Sequence, residues 1–199
     1  FVSGGGTNLQ ALIDAQKAGI VKSGKIELVV SSSPDAYALV RAEENNIPTA
    51  VASKKQLGSQ ESFEKKITEY LDEYKIDMIV LAGFMSILSA DFTKKYANRI
   101  INVHPSLIPS FCGKGFYGLR VHEAALEYGV KVTGATVHFV NEIPDGGKII
   151  LQKAVEIEDG DTPEILQKRV MQQAEWIILP KACEMVSKKL MEEKKNAAL

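Results

Sequence analysis

The sequence predicts an α/β fold: a three-layer, doubly wound and mostly parallel sheet. Short apolar runs rich in valine and isoleucine alternate with stretches of helical period, the pattern of strands wrapped on both faces by helices. The first three runs are too continuously apolar for a sheet wetted on one side. The 199 residues, 45% of them hydrophobic, have the size of one domain, and such a chain buries roughly 70% of its unfolded surface.

The elements follow in order. "FV" at 1–2 runs straight into "SGGG" and reads as the end of a truncated first strand. "NLQALIDAQKAG" (8–19) places Leu9, Leu12 and Ile13 on one helical face, with Gly19 as its stop. The strands "IELVV" (26–30), "IDMIVLAG" (76–83) and "RIINVH" (99–104) are separated by helical patterns at 35–46 and 62–75. "TGATVHFV" (133–140) is a strand of unfixed direction, because both of its alternating sets are mixed. Residues 161–190 read as one long closing helix, with Asp161 and Glu164 as a capping box and Pro180 as a break or kink. Residues 191–199 read as a charged tail. These termini favour one free-standing domain over 1–199.

Composition excludes several classes. A net charge of −1 gives no bulk pull toward nucleic acid or an anionic membrane. No apolar stretch reaches the ~18 residues of a membrane span, and no signal peptide opens the chain. Cys112 and Cys183 form neither a metal spacing nor a disulfide framework. The expectation is a cytoplasmic protein with reduced thiols and no metal.

In doubly wound sheets ligands sit beyond the carboxyl ends of the strands. At the first such end stands "VSGGGTNLQ" (2–10). Its glycines let backbone N–H groups approach a ligand, and a helix starting near Asn8 aims its positive end at the same spot. The run suits a mononucleotide or sugar phosphate; it also suits a tight turn that binds nothing. A dinucleotide fingerprint would need glycine where Leu9 stands, and "GKG" at 113–115 lacks the hydroxyl of a Walker loop.

The 99–104 strand ends in "INVHP". Asn102 and His104 are two apart, so they share a face. An amide donates without titrating, and an imidazole shuttles protons near neutrality. Asp145 follows the 133–140 strand in the turn "PDGG". Each residue alone also has a structural reading: a turn aspartate, a satisfied histidine. His138 reads as a structural strand residue and His122 as a surface helix residue. No Ser or Cys has the context of an activated nucleophile, which favours direct acyl transfer to an amine.

Taken together, "SGGGTNLQ", "LAGFMSILS" (81–89), "NVHPSLIP" (102–109), "TGATVHFV" and "DGGKIILQ" (145–152) resemble the folate-dependent formyltransferases, above all their glycinamide ribonucleotide branch. The resemblance runs from the first residue to about 190. It implies a Rossmann-like sheet with an antiparallel strand toward its C-terminal part. It implies formyl transfer from 10-formyltetrahydrofolate to the amine of glycinamide ribonucleotide, in purine synthesis, by a monomer or homodimer. It implies Asn102, His104 and Asp145 as catalytic residues. Gly6, Thr7 and Asn8 would hold the substrate phosphate, and Glu175 with Gln172 its ribose. Met85, Ile87, Leu88 and Val140 would line the folate pocket. In this reading Asn102 and a protonated His104 donate to a tetrahedral oxyanion, Asp145 relays the proton, and residues 110–132 form a mobile loop over the site. A formyltetrahydrofolate hydrolase, a formyltransferase acting on tRNA or a sugar nucleotide, and a non-catalytic phosphate binder are the rivals.

Overall fold

The computed structural model describes residues 1–197. Its first half runs α1 (Thr7–Lys17), β1 (Val29–Ser31), α2 (Tyr37–Glu44), β2 (Thr49–Val51), α3 (Lys54–Leu57), α4 (Gln60–Glu73), β3 (Ile79–Leu81) and α5 (Ala90–Lys95). Then follow β4 (Ile100–His104), α6 (Leu119–Tyr128), β5 (Val132–Phe139), β6 (Ile149–Glu156), α7 (Pro163–Val170), a π-helical turn (Met171–Glu175) and α8 (Trp176–Ala197).

β1 pairs parallel with β2, and β3 parallel with β4. β5 runs antiparallel to both β4 and β6. Phe1 and Val2 join the two halves. The Val2 N–H donates to Val30 O at 3.0 Å, and the Ser32 N–H to Val2 O at 3.0 Å. On the other side, the Phe1 nitrogen donates to Val80 O at 2.6 Å and the Ala82 N–H to Phe1 O at 2.9 Å. The spatial order is therefore β2, β1, residues 1–2, β3, β4, β5, β6, with β5 alone against the rest. This is the mostly parallel, doubly wound sheet with one antiparallel strand.

Both faces of the sheet are covered, which explains the unbroken apolar runs. Ile100 and Ile101 are adjacent, so they point to opposite faces, yet both are fully buried. Ile101 packs with Val137, Leu166, Val170 and Leu179 under α7 and α8. Ile100 packs with Phe63, Ile67 and Leu71, one stripe of α4 spaced by four. Ser59 caps α4 by accepting from the Ser62 N–H at 3.0 Å.

Four expectations need correction. The closing helix begins at Thr162, whose hydroxyl caps it, and not at Asp161. Asp161 is drawn instead to Arg169, which holds it in a partly buried ion pair. The 161–190 segment is not one helix, because the π turn divides it, and α8 continues unbroken through the buried Pro180. That proline would press on the carbonyl of Trp176, where the widened turn has just ended. Residues 191–197, expected as a tail, continue α8; residues 198–199 lie outside the described residues. Strands β2 and β6 escaped the sequence reading. β6 is a largely exposed edge that keeps polar residues, and β2 is only three residues long.

Candidate active site

β4 carries the site because its last residues point two ways. Ile101 and Val103 enter the core, while Asn102 and His104 share the opposite face. The antiparallel register sets His138 of β5 against Asn102, and Thr136 against His104. The buried Thr136 hydroxyl donates to Ser106 O at 2.7 Å and accepts from the Ile108 N–H at 3.1 Å. It thereby clamps the turn that follows His104.

Asp145 reaches this face through a sharp return. It adopts φ 56°, and a Cβ at Gly147 would fall onto the Phe139 carbonyl, so only glycine permits the fold-back. Its Oδ2 accepts from the Gly113 N–H at 2.8 Å and lies 3.5 Å from His104 Nδ1. Its Oδ1 lies 3.5 Å from His138 Nε2.

The hydrogen-bond partners assign the protons. His138 Nδ1 faces its neighbour's carbonyl, Phe139 O, at 2.8 Å and must donate to it. His138 Nε2 is then the acceptor for Asn102 Nδ2 at 3.2 Å. His104 Nε2 faces Phe111 O at 2.8 Å and must donate as well. Burial lowers the His104 pKa, and the Asp145 charge and the hydrogen bond to Phe111 O only partly oppose this. Burial pushes the Asp145 carboxyl up. The His138 ring, the charge of a protonated His104 and the Gly113 N–H outweigh burial, and its pKa ends below the usual value.

His138 belongs to this cluster, although its sequence reading was structural. Nothing in "TVHFV" marks it; only the β4–β5 register does. His122 was read as a surface residue. It is fully buried in α6, with both ring nitrogens unpartnered, and burial lowers its pKa to about 4.

The glycine loop forms a second centre. Gly6 stands before α1 at φ 73°, and its carbonyl accepts from the Gln10 N–H at 2.9 Å. Buried Asn8 donates to Glu175 Oε2 at 2.7 Å. Burial raises the Glu175 pKa to about 7, against the Asn8 hydrogen bond. The Thr7 hydroxyl faces Met171 Sδ at 3.7 Å. Residues some 165 positions apart are thus brought together, and the π turn supplies the far side, with Gln172 exposed on it.

The expected folate quartet divides. Met85 and Ile87 are 56% and 73% exposed, whereas Leu88 is buried and Val140 packs against the same core cluster. The Met85 N–H donates to Ser3 Oγ at 2.9 Å, which ties this segment to the glycine loop. A cleft of about 670 Å³ flanks Asp145, walled by Pro109, Cys112, Ile143 and Ile149. Among the described residues no group of three His, Cys, Asp or Glu is placed to hold a metal ion, and no helix is long and apolar enough to cross a membrane.

A family model described as Formyl transferase matches residues 1–183. The chain belongs to the formyl transferase family. Phosphoribosylglycinamide formyltransferase of Haemophilus influenzae is 43% identical over 90% of this chain and 82% of that protein. The trifunctional purine biosynthetic protein adenosine-3 of Gallus gallus is 45% identical over 94% of this chain. The chain spans only 18% of the length of that protein. Among solved structures, glycinamide ribonucleotide transformylase 1 from Symbiobacterium toebii aligns with a TM-score of 0.87 at 38% identity, covering 94% of this chain and 85% of that one. Phosphoribosylglycinamide formyltransferase from Brucella melitensis aligns with a TM-score of 0.85 at 42% identity, covering 94% and 93%. The formyltransferase chain described here thus shares both sequence and backbone course with these proteins.

Proposed function

We propose that the chain transfers a formyl group from 10-formyltetrahydrofolate to the amine of glycinamide ribonucleotide, a step of purine biosynthesis. The products are formylglycinamide ribonucleotide and tetrahydrofolate. The observation that carries this reading is the convergence of Asn102, His104, His138 and Asp145 at the carboxyl end of β4. The glycine loop follows a parallel strand position and so opens at the same edge of the sheet. The names of the relatives support the same reading.

Gly6, Thr7 and Asn8 take the 5′-phosphate, while Glu175 and Gln172 take the ribose hydroxyls. Exposed Met85 and Ile87 offer apolar surface to the pterin, and Leu88 and Val140 back that surface from the core. The amine attacks the formyl carbon, and the oxygen gains charge. The free N–H of Asn102 and the N–H of His104 donate to it; one such donor is worth about 3 kcal/mol. Asp145, 3.5 Å from Nδ1, favours the imidazolium once charge develops. The same carboxylate accepts the proton that the attacking amine must shed and passes it to the leaving nitrogen. In the free chain Phe111 O occupies the His104 donor, so residues 110–113 release it before the oxygen binds. Burial and the Asp145 charge raise the Cys112 pKa, which leaves its thiol a poor nucleophile and favours direct transfer.

The test follows the absorbance of 10-formyl-5,8-dideazafolate with and without glycinamide ribonucleotide. Deformylation that requires the ribonucleotide is the expected result. Deformylation without it would make the protein a hydrolase, and none in either mixture would leave the chain a binder.

A further inference from the structure

Two successive carbonyls of the glycine loop are pulled the same way. Gly4 O accepts from the Ala38 N–H at 3.0 Å, and Gly5 O accepts from Arg41 Nε at 2.8 Å. In a trans peptide the carbonyl of one residue and the N–H of the next point in opposite directions. The N–H groups of Gly5 and Gly6 must therefore point away from α2. Among the described residues neither donates to a protein group. They join the unpaired N–H groups of the first turn of α1 in a concave donor set of the kind that binds anions.

Arg41 is itself held in place. Its Nη1 donates to Gln10 Oε1 at 3.2 Å, and its guanidinium lies 5.1 Å from the Tyr37 ring centroid. The loop is wedged against the same helix: a Cβ on Gly6 would stand 2.7 Å from Ala38 Cβ and 3.3 Å from Arg41 Cδ. No other side chain bonds the Gly4–Gly6 backbone among the described residues. A cation bound to the carbonyl also polarises the peptide and strengthens its N–H as a donor.

We propose that Arg41 is a positioning residue for the phosphate of the ribonucleotide. It fixes the Gly5 carbonyl on the α2 side and so aims the adjoining N–H groups at the anion. The assignment rests on the glycine loop being the phosphate site. Arg41 acts through the loop and does not touch the reacting atoms.

The experiment compares Arg41→Met, Arg41→Lys and Thr7→Asp with the parent protein. For each, KM is measured for glycinamide ribonucleotide and for 10-formyl-5,8-dideazafolate, with kcat and the Ki of ribose 5-phosphate. Arg41→Met should raise the ribonucleotide KM and the ribose 5-phosphate Ki by the same factor, about tenfold, the scale of a charge-assisted hydrogen bond. The folate KM should stay within about twofold. Arg41→Lys should recover part of the loss, because an ammonium still reaches one carbonyl but cannot also grip Gln10. If Arg41→Met leaves ribonucleotide binding intact while Thr7→Asp destroys it, the phosphate reading stands and the role of Arg41 falls. If neither variant moves the Ki of ribose 5-phosphate, the phosphate reading falls and takes the role of Arg41 with it. A parallel loss of kcat and both KM values with a lower Tm would make Arg41 merely structural and also overturn the proposal.

Discussion

His104 and Asp145 face each other with opposed tendencies. Burial disfavours charge on the imidazole, while its surroundings hold the carboxyl ionised below its ordinary value of 3.8. Asp145→Asn keeps the shape and removes the charge, so kcat should fall about a hundredfold or more with little change in either KM. Initial rates at saturating substrate check this, and near-normal turnover would remove Asp145 from the proton path. The sign of the linkage follows from the lowered pKa. The stability that ionised Asp145 adds is present above the unfolded value and is lost as pH falls through the native one. His122 behaves the other way round from a paired histidine. Its native pKa near 4 lies below the unfolded 6.5, so between those values the unfolded chain alone takes the proton. Stability should drop by roughly 2 kcal/mol between pH 7 and pH 5 on this account. Urea unfolding of the parent and His122→Leu at both pH values tests it; the variant should lose less, and parallel losses would sink the idea. At this scale Asn102, His104 and Asp145 were legible, because strand periodicity and turn chemistry are local. His122 and His138 were not, because what surrounds them comes from other elements.

The return from β5 to β6 is the element on which the site depends. Gly147 leaves no room for a Cβ against the Phe139 carbonyl, and the fold-back is what carries Asp145 to His104. Gly147→Ala should therefore lower kcat more than tenfold and cost about 1–3 kcal/mol of stability, on the scale of backbone strain. A variant with full activity would show that the turn can be redrawn without moving Asp145. The π turn does comparable work for the glycine loop, because it brings Glu175 against Asn8 ahead of a helix that must pass Pro180. The helical stretch was readable from its period, but the extra residue in its turn was not. A π turn leaves no mark on a pattern set by 3.6-residue spacing. β6 was missed for a related reason: an exposed edge strand alternates weakly, with charged and polar residues at Gln152, Lys153 and Glu156.

Over the whole molecule, the sheet is clamped between α4 on one face and α7 with α8 on the other. Backbone amides at the centre, in β4 and β5, should exchange with solvent most slowly, and those of 110–118 orders of magnitude faster. Hydrogen exchange read by mass spectrometry checks this; equal protection would mean that the turn over His104 is as rigid as the core. The parent and Arg41→Met should give the same pattern outside the glycine loop and α2.

The sequence by itself determined the alternation of strands and helices, the buried identity of the central strands and the chemical character of three strand ends. Those properties are written in period, composition and turn residues, which act over a few positions. Only the tertiary structure decided the direction of β5, the entry of His138 into the cluster and the burial of the His104 ring. It also decided the meeting of Asn8 with Glu175 and the grip of Arg41 on Gly5. Each depends on register or on packing between residues distant in the chain. A hydrogen-bond partner or a desolvated ring is a property of the surroundings, and no single segment encodes its surroundings.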